Sequence, residues 1–355
     1  MTASTATIDC DVHINVPGMG ALLPYLDDYW RDSVVDRGLN SLDSISYPPR
    51  APLTARPDWR GAGGQPASSL PMLRTLALDR WNITIAICNC LYGVPLLFAE
   101  DMAAAFATAV NDWVAKEWLD REPRLRASIV VPMQNTELAV AELERCAADK
   151  RFVQVLLLAM GEAPLGRRQY WPLYAAAERH RLPLCIHAGS SYRHPLTSLG
   201  WPSYYVEDYC AQSQGFQAQL ASLVCEGVFS KFPKLKVVLA ESGVTWLPAF
   251  LWRLSKFWRG VRAEVPWVDR SPGAIVRDHV RLTLQPFDAP EDPGAVARLL
   301  DHLQSDDMLL FSSDFPHWQF DGDDIMPAGI PPKLDVKIRS GNALATYDRL
   351  ATAAA

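Results

Sequence analysis

The chain has 355 residues, 49% of them hydrophobic, and a net charge of -6 from 34 basic and 40 acidic side chains. That length and apolar fraction bury a large core, and mixed charge without a basic, aromatic-studded stripe excludes a nucleic-acid binder. No apolar run approaches the ~18 residues of a membrane span, and M-T-A-S-T-A-T-I-D lacks the basic and apolar regions of a signal peptide.

Thr7 to Val12 is a predicted strand on which Asp9, Asp11 and His13 alternate, so all three are expected on one face. From Asn15 to about Ser69 periodicity disappears and Pro, Gly and Arg accumulate, as in Y-P-P-R-A-P-L and R-P-D-W-R-G-A-G-G-Q-P. This is an insertion without regular structure, read either as a surface excursion or as a lid or dimer-contact arm over the strand ends. Ser69 then caps a helix over Pro71 to Trp81, whose Leu73, Leu76 and Leu78 form an apolar stripe. I-T-I-A-I-C-N-C is the second strand, Phe98 to Arg121 a long amphipathic helix, and L-R-A-S-I-V-V-P-M-Q a third strand closed by Pro132. Thr136 opens a helix with Glu137 and Glu142 near its start and Arg145 and Lys150 near its end, the polarity that a helix dipole favours. F-V-Q-V-L-L-L is strand four, Tyr170 to Arg181 a helix, and L-P-L-C-I-H-A-G strand five.

The stretch Gly189 to Gln214 reads as irregular and aromatic, with Tyr192, Trp201, Tyr204, Tyr205 and Tyr209. Gln217 to Phe229 is a helix, L-K-V-V-L-A strand six, Trp246 to Arg259 a helix, V-R-L-T-L-Q-P strand seven, Pro293 to Leu303 a helix, M-L-L-F-S-S-D strand eight and Lys333 to Leu350 a closing helix. Eight short, nearly continuous apolar strands separated by helices call for a parallel sheet covered on both faces, and eight such units close as one (β/α)8 TIM barrel over 1–355. No glycine-rich phosphate fingerprint follows the first strand, which argues against a doubly wound sheet. The seven cysteines are scattered without a CxxC pair, as expected of a reduced, cytoplasmic protein that uses thiols as small buried hydrophobes.

In a barrel the strand ends share one face, so Asp11, His13, His187, Glu241, Gln285 and Asp314 are expected to converge there. A carboxylate at the tip of a buried strand, such as Asp314 after M-L-L-F-S-S, is costly unless it meets a cation or several donors. Asp11 and His13 grip a cation from one side, and His187 and Asp314 complete the set. Two carboxylates balance a divalent metal, and imidazole with carboxylate suits zinc first and manganese second, better than calcium. Taken singly the residues have plainer explanations. His13 or His187 fits a satisfied core histidine, Asp314 fits the cap of the segment beginning at Phe315, and Asp9 competes with Asp11, which lies nearer the strand end.

The stretches D-C-D-V-H, C-I-H-A-G, F-P-K-L-K-V-V-L-A-E-S-G-V-T-W-L-P, L-Q-P-F, F-S-S-D-F-P-H and G-N-A-L-A-T-Y resemble the amidohydrolase superfamily. The resemblance is to the amidohydrolase-related branch (amidohydrolase 2) that includes aminocarboxymuconate semialdehyde decarboxylase and γ-resorcylate decarboxylase, and it runs from Thr7 to about Leu350 except for Asn15 to Ser69. It implies a distorted (β/α)8 barrel holding one divalent metal, usually zinc and in some members manganese. Asp11 stands where many relatives have the first His of H-x-H and γ-resorcylate-type enzymes have Glu. His13 matches the second His, His187 the strand-five His, and Asp314 the strand-eight Asp that binds metal and handles protons. Glu241 departs from the pattern, because both named decarboxylases carry a catalytic His there.

Two reactions fit these residues. In the first, metal-activated water hydrolyses a small aromatic or cyclic ester, lactone or amide while Asp314 and Glu241 shuttle protons. In the second, an aromatic or enoic acid is decarboxylated without oxidation, with the proton coming from Asp314 or Glu241 and the substrate carboxylate held by Arg253. A binding protein built on a degenerate barrel is disfavoured, because all four ligand-type residues are intact. Hydrolysis is the expectation, since Glu241 adds negative charge beside two carboxylates and so repels an anionic substrate. Trp201, Tyr205, Arg253, Gln285 and His317 are the expected contacts to a flat, apolar small molecule, in a homodimer or homotetramer.

Overall fold

The computed structural model describes residues 6–42, 45, 55–60, 66–317 and 324–351. Each apolar run predicted as a strand enters one parallel sheet in the order β1 to β8. The strands are β1 (Thr7–His13), β2 (Ile83–Asn89), β3 (Leu125–Val130), β4 (Phe152–Met160), β5 (Leu184–Ser190), β6 (Val237–Ala240), β7 (Val280–Thr283) and β8 (Leu309–Leu310). All are buried along nearly their whole length, which is why most of their sequences are apolar without alternation; β1, T-I-D-C-D-V-H, alternates although every residue is buried. Strand eight is shorter than its apolar run because the chain finds other partners past Leu310. Phe311 donates its N–H to Ile338 (2.9 Å) and its carbonyl accepts from Cys10 (2.9 Å). Asp314 N–H to Asp11 carbonyl (3.1 Å) and His13 N–H to Phe315 carbonyl (2.7 Å) then close the barrel between its last and first strands.

The helices are α1 (Asp28–Asp36), α2 (Leu70–Leu73), α3 (Glu100–Val114), α4 (Thr136–Cys146), α5 (Trp171–His180), α6 (Tyr205–Cys225), α7 (Val228–Lys231), α8 (Leu247–Val261), α9 (Pro272–His279), α10 (Pro293–Leu303), α11 (Pro332–Val336), α12 (Asn342–Thr346) and α13 (Asp348–Ala351). Several differ from the sequence reading. The insertion contains α1, whose start is set by Asp27 accepting the Trp30 N–H at 2.9 Å. The helix expected over Pro71 to Trp81 is α2 continued by a wider π turn, Arg74–Leu78, and Ser69 makes no side-chain cap bond. The aromatic stretch is helical from Tyr205, because Glu207 reaches back to the N–H groups of Ser203 and Tyr204 at 3.0 and 2.8 Å. The short helix α9 escaped the reading although S-P at its start, with Ser271 accepting from Ala274, is a helix-opening signal. The closing helix is broken into α11, a π turn over Lys337–Gly341, α12 and α13.

Strand β1 slips register against β2 between Asp9 and Val12, so the even alternation expected of Asp9, Asp11 and His13 is broken. The Asp9 carboxylate accepts the N–H groups of Asp11 (3.1 Å) and Ser313 (3.0 Å), a seam between first and last strands, while Asp11 turns towards β2 and β5.

At the opposite end from the strand tips, Ile8, Cys10, Ile87, Val153, Val238 and Leu310 form a buried cluster closed by Ala343, Tyr347 and Leu350. The insertion touches the strand tips instead. The Ile45 carbonyl accepts from Ser190 N–H (3.0 Å), Ala55 bridges to His317, and Trp59 is fully buried beside Phe315. Residues 43–44, 46–54 and 61–65 of that insertion lie outside the described residues. The cysteines are unpaired, five of them buried, and no helix among the described residues is long and apolar enough to cross a membrane.

Candidate metal centre

Parallel pairing places His13 opposite Asn89, and His187 opposite both Leu158 and Ala240, so polar side chains from several strands end at one height. Beyond Ala240, Glu241 adopts a left-handed backbone (φ 55°), and Asp314 does the same (φ 55°). Non-glycine residues pay for that conformation, and at two strand tips it turns both carboxylates into the mouth. The turn after Glu241 needs Gly243 (φ 68°), where a Cβ would lie 2.1 Å from an Asp288 oxygen.

Two groups of donors meet at His13. Asp11, His13 and His187 form one, and His13, Glu241, Asp314 and His317 the other, with the donor atoms of each group within 4.8 Å of one another. His13 Nε2 lies 2.8 Å from Asp314 Oδ1, 3.7 Å from Asp11 Oδ1 and 3.9 Å from Glu241 Oε1. His187 Nε2 lies 3.5 Å from Asp11 Oδ1. His187 Nδ1 sits 2.8 Å from the Ala188 carbonyl, which only a protonated Nδ1 satisfies, and this leaves Nε2 with a lone pair facing the cluster. His187 Nε2, Asp11 Oδ2 and Asp314 Oδ2 are buried and have no hydrogen-bond partner.

Unsatisfied buried acceptors of this kind are what a cation would occupy, so the donor set fits a divalent metal held by Asp11, His13, His187 and Asp314. The electrostatics show that the cluster calls for positive charge. Burial opposes the charged form of His187, yet Asp11 and Glu241 beside it raise its pKa to about 9, so without an ion a proton occupies the Nε2 position that a metal would take. His13 is lowered to about 3 by burial and by His317, so it is a neutral, electron-donating imidazole. Asp9, raised to about 7 by burial, belongs to the seam and not to the cluster.

The remaining sequence candidates divide. His317 Nδ1 is shared between Glu241 Oε1 (2.8 Å) and Asp314 Oδ1 (3.1 Å), and its ring packs 4.3 Å from His13. Tyr205, at the start of α6, faces the mouth: burial and then the charges of Glu241 and Asp314 raise its pKa. Gln285 uses its amide to hold the Ile325 carbonyl and so ties down the chain after β8. Trp201 is 46% exposed against Tyr192. Arg253 does not join the cluster; it is exposed on α8 with its guanidinium over the Phe257 ring.

Sequence reasoning missed two residues. Asn89 donates to Asp11 Oδ1 at 2.7 Å. It ends I-T-I-A-I-C-N as His187 ends its strand, so the same strand-tip rule would have found it. Tyr209 packs 5.7 Å from Tyr205 one helical turn on, and its buried hydroxyl has no hydrogen-bond partner while Glu241, Asp314 and Asp288 all act on it. Its signal, the i, i+4 spacing to Tyr205, was hidden by reading the segment as a loop.

A parallel eight-stranded barrel with Asp, His, His and Asp side chains gathered at its strand tips points to an enzyme of the amidohydrolase superfamily, and the chain belongs to the amidohydrolase family, whose profile matches residues 8–349. A γ-resorcylate decarboxylase from Polaromonas sp. is 30% identical over 216 residues, which are 54% of this chain and 64% of that protein. The chain therefore matches under two thirds of that relative's length. Among solved structures, a dihydroxybenzoic acid decarboxylase from Polaromonas sp. with bound manganese and 2-nitroresorcinol superposes with TM-score 0.68 at 21% identity, covering 97% of each chain. A 5-carboxyvanillate decarboxylase from Novosphingobium aromaticivorans, also with manganese, gives 0.69 at 17% identity and 97% of each chain.

These relatives correct the expectation of a hydrolase: the curated relatives that this chain matches are γ-resorcylate decarboxylases. Glu241 is not a bare extra charge that would repel an acid, because His317 holds it at 2.8 Å.

Proposed function

We propose that the protein is a metal-dependent, non-oxidative decarboxylase of a hydroxylated aromatic acid. The observation that carries this reading is the His317 imidazole held between Glu241 and Asp314 beside the unsatisfied metal-ligand atoms. Decarboxylation needs a proton for the ring carbon that loses CO2. An imidazole braced by two carboxylates supplies one from the loop after β8, in a chain that has Glu241 where the family resemblance leads one to expect His.

A divalent ion, manganese or zinc, held by Asp11, His13, His187 and Asp314 would supply Lewis-acid chemistry, favouring the ionised form of a ring hydroxyl whose electron density makes the ring carbon basic enough to take a proton. The rest falls to the chain. The Glu241–His317 pair delivers a proton to the carbon that bears the carboxylate, the bond to the carboxyl carbon breaks, and its electron pair restores the aromatic ring as CO2 departs. Tyr205 and Tyr209 wall the mouth, and the unpartnered Tyr209 hydroxyl is placed to donate to an oxygen of the substrate.

The test is an assay of the manganese- and zinc-loaded protein against 2,6-dihydroxybenzoate and related hydroxybenzoates in D2O, followed by NMR. The expected result is loss of the carboxylate with one deuterium at the vacated ring carbon. Hydrolysis of esters, lactones or amides, with every hydroxybenzoate left intact, would overturn the reading.

A further inference from the structure

We infer that a hydrogen-bonded chain through the barrel interior makes Tyr347, in the C-terminal segment at the far end of the barrel, a positioning residue for the metal ligand Asp11. The Tyr347 hydroxyl donates to Gln154 Oε1 at 2.8 Å. Gln154 Nε2 donates to Ser128 Oγ at 2.8 Å and to Asn89 Oδ1 at 3.3 Å. The Ser128 hydroxyl donates to the same Asn89 oxygen. Asn89 Nδ2 then donates to Asp11 Oδ1 at 2.7 Å. Tyr347, Gln154, Asn89 and Asp11 have no solvent exposure and Ser128 has 2%. The series therefore crosses β4, β3, β2 and β1 without meeting water.

Three features give this series a purpose beyond filling space. First, the interior around it is apolar, lined by Ile8, Cys10, Ile87 and Leu310, and hydroxyls and amides are costly there unless every member is bonded. Second, its direction is set: an ionised Asp11 only accepts, so Asn89 must present its NH2 to Asp11 and its oxygen to Ser128 and Gln154, and Gln154 must present its oxygen to Tyr347. Every donor points towards the carboxylate, the polarity in which hydrogen bonds strengthen one another. Third, the last bond falls on Oδ1 of Asp11, the oxygen that lies 3.7 Å from His13 Nε2 and 3.5 Å from His187 Nε2. The chain thereby fixes the position of the very oxygen that faces the other ligands, and a carboxylate oxygen has a second lone pair left for the ion. Docking of the C-terminal segment, the last part of the barrel in the sequence, is thus linked to the geometry of the first strand's metal ligand.

This inference rests on the metal reading of the site and not on the reaction. It is tested by chelator competition for Zn2+ and Mn2+, with thermal unfolding of the metal-free protein run in parallel, on wild type, Asn89→Ala, Tyr347→Phe and Leu350→Ala. Loss of a residue that orients a ligand weakens metal binding by roughly 10–100-fold, which is the expected effect of Asn89→Ala. Tyr347→Phe, which removes a single oxygen atom, should weaken it by roughly 3–10-fold, part of that range, because it acts through two intervening bonds. Leu350→Ala removes packing from the same plug and should lower the unfolding midpoint while leaving the metal dissociation constant unchanged. Wild-type affinity in Tyr347→Phe would overturn the inference alone. So would an equal loss in Leu350→Ala, since general loosening would then explain both. Failure of wild type to take up either ion would overturn the site reading and the inference together. Should Asn89→Ala not fold, the comparison of Tyr347→Phe with Leu350→Ala decides the matter.

Discussion

In the proposed reaction the chemistry turns on Glu241 and Asp314, and both are held in a left-handed backbone at a strand tip. Such a conformation costs of order 1–3 kcal/mol and persists only where the surroundings enforce it. For Glu241 the enforcement is visible: its N–H is held by Thr283 Oγ1 at 3.0 Å and the following turn is packed against Asp288. Glu241→Gln keeps the shape and removes the charge that braces His317, so turnover of a hydroxybenzoate should fall by roughly 10²-fold with metal content unchanged. Steady-state kinetics together with metal analysis checks this, and turnover within a few-fold of wild type with an unmoved pH profile would remove Glu241 from proton transfer. The convergence of the four expected ligands was legible because a titratable residue ending an apolar run has few structural uses. Asn89 ends its run as they do but carries no titratable group, and Tyr209 lies in a stretch read as irregular, so neither was singled out.

At the scale of elements, neighbouring β/α units are tied together at the end of the barrel away from the site by buried charge. Glu122, in the turn before β3, accepts from Arg124 Nε at 2.9 Å and from Arg74 Nε at 2.6 Å, and Arg124 also reaches Asp79 at 2.8 Å. The hydrogen bonds from Arg124, then Arg74, lower the Glu122 pKa from 4.5 to about 2 despite burial. A depressed carboxyl pKa stabilises the fold fully above about pH 4.5, and that contribution is lost as the pH falls towards 2. Glu122→Gln should therefore cost about 1–2 kcal/mol at pH 7, a value reduced because the arginines are partly exposed, and the gap from wild type should narrow below pH 4.5. Urea denaturation at pH 7, 4.5 and 3.5 measures it, and a gap that is constant with pH would show that the loss comes from packing. Element boundaries failed to be legible where a side chain a few residues away supplied the cap, as Glu207 does for α6.

Across the whole molecule, the barrel is a closed ring whose ends are joined by the chain after β8 and by the C-terminal segment. Arg349, 6% exposed, donates to the carbonyls of Phe152 (2.7 Å), Ala147 (3.2 Å) and His180 (3.2 Å). A cation set on the C-terminal ends of α4 and α5 meets two helix dipoles at once and locks the plug to the middle of the barrel. Arg349→Met keeps much of the apolar stem and leaves those carbonyls short of a donor, so it should cost about 2–3 kcal/mol and lower the thermal midpoint by several degrees. A midpoint within 1 °C of wild type, roughly the resolution of such shifts, would show that water replaces the guanidinium without loss.

What the amino-acid sequence determined by itself was the periodic part of the problem. Eight apolar runs, each too short for a buried helix and too continuous for an open sheet, leave a parallel barrel as the arrangement that covers both faces. Residues that end those runs must emerge at one rim, so Asp11, His13, His187, Glu241 and Asp314 were recognisable before any contact was known. Only the tertiary structure decided what each carboxylate faces. The register slip in β1 separates Asp9 from Asp11, closure through residues 311–315 brings His317 onto Glu241, and the C-terminal segment threads a polar chain up to Asp11. These depend on pairs up to some three hundred residues apart, such as Asp9 with Ser313 (|i−j| = 304). A local pattern carries no information about such pairs, because it is the closing of the ring that makes them neighbours.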